Sequence, residues 1–484
     1  MGIVIQQSVK NTLSTYIGFA IGALNTLVFY THFMSASDYG IVALMLSIAT
    51  VGAPFMLFGS HQMLIRFYPK YSGVDQAKLL TLSLLIPIVM SSVFGIALYF
   101  FQDSLLRFVQ SDSTLTPYFL WDVYFIAVFM AFFEYFYALS RSQLKSVFGN
   151  FAKEVLHRLL IALGLVGYSF EWLDFHSFII LLMAIYGLRM LLMLVYSLRA
   201  TTINWSLKLS NFKRTHLVYA LVMLMGSAAA LVILEVDKIM INMYLDLDQV
   251  AYYTVAVFIA TLVAVPFRAM HQITLPITAQ LIANKDLKGL SDLYKKSSLN
   301  LSIVTALILI LLLVNIDNLY LLIPEAYSQA IFVVYLLGIS KFLDASLGIN
   351  NAIINNSPYY AYVLGFGVIL AILTVLFNMW LLPIYGIVGA AYASLFALFI
   401  YNVLKLVLVM INYKMQPYSY KTILVVVLTV IIYLTVTNMS SASNNYIDML
   451  LKSFVTLFVF VGISYKMNLS SSFNHLIDRI LRRN

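Results

Sequence analysis

The chain has no cysteine, and Asp, Glu, Lys and Arg together make up only 10% of its 484 residues. The first absence excludes a disulfide framework, a thiolate zinc site and a catalytic thiol, whichever compartment the loops face. The second excludes a soluble fold of this length, which would need far more charged surface. Also missing are a P-loop, an HExxH helix and a serine nucleophile elbow, so ATP-driven work would need another chain. What remains is 62% hydrophobic residues, a mean hydropathy of +0.92 and a net charge of +9, the composition of a chain dissolved in lipid. At the N-terminus Lys10 precedes a long apolar run without a small-residue cleavage site, which reads as a retained first span and not a signal peptide.

A spanning helix needs roughly 20 apolar residues. Such runs predict fourteen spans: 9–33, 39–58, 79–101, 115–139, 155–170 and 177–198, then 216–244, 250–275, 297–315, 328–349, 359–382 and 387–411, and finally 422–437 and 446–465. Alternating the loops from an inside N-terminus puts nearly every lysine and arginine on one side, among them Lys10, Lys70, Arg141, Lys153, Arg158, Lys285, Lys414 and Arg479. The other side has Arg107 alone, together with Asp38, Asp103, Asp112, Glu171, Asp174, Asp246, Asp248, Asp317 and Glu325. By the positive-inside rule both termini are cytoplasmic and the protein is a multi-pass cytoplasmic (inner) membrane protein. Trp121, Trp172 and Trp380 fall near outer span ends, where an interfacial belt would place them. The same rule explains the net charge without nucleic acid as a partner. The basic tail at 479–483 either touches anionic lipid or is an ordinary cytoplasmic end.

Shifting the chain by 211 residues superimposes the first six spans on the next six, with Ile48, Ala49 and Thr50 falling on Ile259, Ala260 and Thr261. An even number of spans per half predicts two parallel six-helix lobes, 1–211 and 212–420, followed by two further helices within 421–468 and a basic cytoplasmic tail, 469–484. Pro54 and Pro266 are expected inside the second span of each half, as hinges or as tolerated membrane prolines.

The segment NMWLLPIYGIVGAAYAS from Asn378 resembles the signature of the polysaccharide-flippase (O-antigen, lipopolysaccharide) branch of the multidrug/oligosaccharidyl-lipid/polysaccharide exporter superfamily. ASDYGIVALMLSIATVG and FGSHQMLIRFYPKY in the first half, and LEVDKIMINMYLDLDQVAYYTVAVFIATLVAVPFRAM in the second, are similar to the same branch. The resemblance covers nearly the whole chain. It implies an all-α membrane transporter with a V-shaped pair of lobes. Such a transporter flips undecaprenyl-pyrophosphate-linked sugars by alternating access for surface polysaccharide synthesis, alongside polymerase machinery and without a cofactor.

An ionised side chain at mid-membrane costs roughly 2.5–3.5 kcal/mol on insertion scales, so each should face a cavity or a partner. His61 and Arg66 stand at the second span, and Arg268 and His271 at the eighth. Facing cations in two lobes would make an anion site suited to a pyrophosphate, because guanidinium forks bind phosphate oxygens at two points. Otherwise Arg66 is a positive-inside anchor and the histidines make interhelical hydrogen bonds. In the seventh span Glu235, Asp237 and Lys238 offer either a proton or sodium coupling site, with Lys238 touching substrate, or a structural ion pair. Glu134 with Arg141 in the fourth span, and Lys341 with Asp344 in the tenth, line a cavity or staple a lobe. Asn25 and His32 share a face of the first span and are expected along the outer half of the cavity. Arg189 and Lys405 are placed where they could snorkel to an interface. Asn350, Asn351, Asn355 and Asn356 either bind sugar hydroxyls or cap a helix end.

Three rivals stand beside the flippase reading. A metal-dependent glycosyltransferase could use Asp246 and Asp248, although their loop is short. A cation-coupled drug antiporter of the sister MATE branch would want uncompensated carboxylates. A peptidoglycan lipid-precursor flippase also moves a pyrophosphate lipid and has fourteen spans.

Overall fold

The computed structural model describes residues 2–109, 117–200, 214–439 and 444–481; Asp112, Lys208, Lys213, Arg482 and Arg483 fall outside them. The described residues are overwhelmingly helical and contain no strand. In lipid nothing else satisfies the backbone of a single segment, so long Leu-, Ile-, Val- and Phe-rich runs become helices whatever their intrinsic propensity. Packing divides the chain into two compact units, Met1–Thr254 and Val255–Asn484.

In the first unit α1 runs Gly2–Leu24, passes through a π-helical turn at Asn25–Phe29 and ends with Tyr30–Phe33. α2 (Ala36–Leu57) and α3 (Ser60–Phe67) follow, then α4 (Gly73–Val109) and α5 (Pro117–Ser142). α6 begins at Val147–Phe151, passes a second π turn at Ala152–Leu156 and continues as His157–Ser169, ahead of α7 (Phe175–Ala200). α8 (Arg214–Tyr244) is bent by 48° between Ala229 and Leu231, and α9 (Leu247–Thr261) crosses into the second unit.

In the second unit a 3-10 turn, Leu262–Ala264, leads to α10 (Val265–Ala283). α11 (Leu287–Val314), α12 (Ile331–Ser346) and the short α13 (Asn350–Asn355) come next. They are followed by α14 (Tyr360–Tyr385), α15 (Ile387–Tyr413), α16 (Tyr420–Thr437), α17 (Asn445–Lys466) and α18 (Ser471–Leu481). The second unit's core forms where α16 and α17 lay Val425, Ile432, Val436 and Phe460 on Ile303, Ala306 and Ile310 of α11.

Among the described residues twelve helices are long and apolar enough to cross a membrane, thirteen with the bent α8. The fourteenth expected span corresponds to α6, which with its entry turns runs unbroken from Val147 to Ser169. It starts at Val147, earlier than the expected 155–170, so Lys153 and Glu154 are helical along with His157 and Arg158. Lys153 and Arg158, read from sequence as loop charges, belong to this helix, and each has an ion-pair partner inside the unit.

Two glycines explain how the first unit closes. Gly18 and Gly22 of α1 form a small-xxx-small pair that lets α6 approach. A Cβ on Gly18 would lie 2.3 Å from the Glu154 carbonyl oxygen. Asn25 Nδ2 then donates to the Arg158 carbonyl (2.9 Å) and Arg158 Nη1 to the Gly18 carbonyl (2.6 Å), which ties α1 to α6. At the end of α2, Pro54 precedes a break at Phe58 (φ 46°) and Gly59 (φ 69°), both left-handed. Here α8 crosses, and a Cβ on Gly59 would meet the Ala220 carbonyl oxygen at 2.0 Å.

Pro266 lies where expected, inside the span Leu247–Arg268, and it directly follows the 3-10 turn Leu262–Ala264 that interrupts the α-helical ladder there, in the first turn of α10. The stretch 469–484 is not simply a basic tail. Most of it is α18, next to Ser470, which bonds Asn300 of α11 (2.5 Å), and Tyr465 of α17 donates to its Asp478 (2.7 Å).

Candidate functional site

Lys153, Arg158 and Arg189 converge with Glu134, Glu154, His61 and His157 on one cavity of about 510 Å³ inside the first unit. Its walls come from α2, α3, α5, α6, α7 and α8, with Pro54 at the α2 break and Ser227 and Leu231 of α8 facing it. The size is typical of a small-molecule pocket. Three permanent cations stand against two carboxylates, so its field favours an anion.

The charges differ in how they are satisfied. Lys153 Nζ lies 2.5 Å from Glu134 Oε1, and Arg158 reaches Glu154 Oε2 at 3.5 Å, one helical turn away. Arg189 has no such partner. It is only 7% exposed, and its guanidinium lies 4.3 Å from the Phe133 ring centre and 4.8 Å from that of Tyr186. Among the described residues no carboxylate is within ion-pair range of it, and its Nε has no hydrogen-bond partner. Each desolvated ring face contributes on the order of 2 kcal/mol, which offsets the roughly 3 kcal/mol insertion cost without using the N–H donors. The Nδ1 atoms of His61 and His157 are likewise buried and unpartnered.

The structure thus brings His61 and Glu134 into one site with residues that sequence reasoning had set aside. Arg189 was expected to snorkel, yet it is buried, as is Lys405 at 1% exposure. Apolar runs around both residues hid the aromatic or acidic partner waiting on another helix. Arg141 is not paired with Glu134 but stacks on Tyr137 at 4.7 Å. Arg66 is exposed at the end of α3, over the Tyr219 ring of α8 at 4.4 Å. Arg268 and His271 lie on α10 in the second unit, the first exposed and the second partly so, with its ring 6.1 Å from that of Phe267.

On α8 Glu235 accepts from Lys238 (2.7 Å) and from Ser47 of α2 (2.8 Å), so this triplet includes a satisfied ion pair. Asp237 is 5% exposed and accepts from Tyr253 of α9 at 2.6 Å. Asn25 is buried and donates to the Arg158 carbonyl, whereas His32 lines a pocket of about 820 Å³ with Tyr168, Glu171 and Asp174. In the second unit Asp344 pairs with Lys405 (3.2 Å), while Lys341 is partly exposed on α12. Asn350 donates to the Tyr294 hydroxyl (2.6 Å) and Asn356 to the Leu275 carbonyl (3.1 Å), so the amide cluster is at least partly structural.

The order and packing of these helices define a known membrane-transporter fold. A structure titled lipid II flippase MurJ, inward closed conformation, superimposes with a TM-score of 0.71 at 14% identity, covering 96% of this chain and 100% of that one. An inward-facing multidrug resistance MATE family transporter of the MOP superfamily gives 0.65 at 13% identity, covering 83% and 94%. A MOP superfamily transporter from Pyrococcus furiosus, titled for the reverse polarity of its binding pocket, gives 0.59 at 12%, covering 84% and 95%. At such identities the likeness establishes the fold. No protein-family model matches the sequence, and no curated protein matches it.

Proposed function

We propose that the protein is a flippase of the cytoplasmic (inner) membrane. It moves an undecaprenyl-pyrophosphate-linked oligosaccharide across by alternating access and serves surface polysaccharide synthesis. The observation that carries this reading is the cationic excess in the first-unit cavity, where Arg189 is buried without a carboxylate. A cation exporter would want the opposite balance. Length supports the same choice: the flippase structure covers 96% of this chain against 83% for the MATE structure, a difference on the scale of the α16–α17 pair. Both termini lie in the cytoplasm in this reading, and the glycan is delivered to polymerase machinery outside. In this reading Arg66 is a further cation of the first unit and Arg268 one of the second that meet the substrate during the cycle, and Asp237 or Glu235 carries a coupling proton or sodium ion.

A second reading, a peptidoglycan lipid-precursor flippase, is favoured by the MurJ likeness, since that substrate is also a pyrophosphate lipid. Complementation separates them. In a strain lacking its surface-polysaccharide flippase the chain restores surface polysaccharide, and in a strain depleted of MurJ it does not restore growth. The reverse result would transfer the substrate to the peptidoglycan precursor. In the first strain Arg268→Ala abolishes export at unchanged protein abundance, because the side chain is exposed and contributes little to packing. Full activity would remove Arg268 from the reading.

A further inference from the structure

The flippase reading leaves open which atoms take the diphosphate. We infer that Arg189, with His157 beside it, is the diphosphate contact of the first-unit cavity; this deepens the proposed function and rests on it. Three observations converge. Arg189 is 93% removed from solvent by burial yet has no acidic partner within ion-pair range among the described residues. Its Cζ lies 4.3 Å from the Phe133 ring centre and 4.8 Å from that of Tyr186, and its Nε has no hydrogen-bond partner, so the guanidinium is held by ring contacts and not by an acceptor for its N–H donors. Lys153 and Arg158, which line the same cavity, already have Glu134 and Glu154. An incoming dianion therefore meets a single unneutralised fork.

His157 faces the same space with an unpartnered Nδ1, and its ring centre is 6.0 Å from that of Tyr186. In the tautomer protonated at Nδ1 it donates a second, uncharged hydrogen bond to the phosphate. A planar fork matches two phosphate oxygens, whereas an ammonium at this position would act as a point charge and lose the two-point geometry. The ligand class is thus a diphosphate ester, and free pyrophosphate has the same chemistry.

The full chain in lipid nanodiscs should bind inorganic pyrophosphate, read by calorimetry, and farnesyl diphosphate should displace it while farnesol should not. Arg189→Gln is expected to weaken pyrophosphate at least tenfold, and Arg189→Lys to recover only part of that loss. Should Arg189→Gln not fold, His157→Phe is read instead, with a loss of at least threefold. Unchanged affinity in the readable variant overturns the inference, as does displacement by farnesol equal to that by the diphosphate. If the wild type binds pyrophosphate and only Arg268→Ala abolishes it, the flippase reading survives and this site does not. If the wild type binds no diphosphate and restores neither strain, the flippase reading falls as well.

Discussion

Lys405, 1% exposed on α15, places its Nζ 3.2 Å from Asp344 Oδ1 on α12 and 4.3 Å from the Tyr401 ring centre. With Lys405 buried and 26% of the Asp344 side chain exposed, such a pair is weak support for stability while intact, but removing Asp344 strands a buried ammonium. Asp344→Leu should therefore destabilise the second unit by about 3 kcal/mol and Lys405→Met by less, because Asp344 keeps contact with solvent, while the double replacement should recover most of the loss. Thermal melts of the three variants in detergent measure this. Additive losses in the double variant would show that the two side chains act independently.

Gly59 is required twice, by its φ of 69° and by the Ala220 carbonyl lying where a Cβ would be. Gly59→Ala incurs about 1–2 kcal/mol for the left-handed conformation before any clash is counted. The backbone contact cannot yield as a flexible side chain would. Its abundance in the membrane should fall several-fold and its melting midpoint should drop, whereas Gly73→Ala, whose added Cβ meets nothing within 4 Å, should show only the conformational part.

Asp237 accepts a 2.6 Å hydrogen bond from Tyr253, and both are buried on adjacent helices of the first unit. If an ion gradient drives the cycle through this carboxylate, Asp237→Asn keeps a similar shape but loses the charge. Transport into vesicles should then lose its dependence on external pH or sodium while the protein still assembles. Tyr253→Phe should shift that dependence without removing it, because the carboxylate survives. A gradient response identical to wild type in Asp237→Asn would exclude Asp237 as the coupling group.

The C-terminal helices do more than add apolar surface. Asn315 donates to Ser453 (3.0 Å) and Asn318 to Asp448 (2.7 Å), while Lys452 pairs with Asp448 at 2.7 Å. Lipid could replace the contacts of Val425 and Ile432 with α11 at little cost, but it cannot replace hydrogen-bond partners. Truncation after Tyr413 should accordingly reduce membrane abundance several-fold. Asn315→Leu with Asn318→Leu in the truncated chain should restore part of it, by removing the stranded amides.

Composition and apolar run length alone determined the membrane class, the all-α architecture and nearly all the span positions, because lipid leaves a single segment no other way to satisfy its backbone. Only the tertiary structure decided the state of the charges. Glu134 was visible as an intramembrane acid, yet its partner is Lys153, counted from sequence as a loop residue, and nothing local to Arg189 announces Phe133, 56 positions away. Whether a lysine or arginine snorkels to an interface, pairs with an acid or waits unpaired over a ring depends on which helix faces it. That is set by close approaches such as Gly18 on Glu154, and these follow from three-dimensional packing and not from the order of residues along one helix.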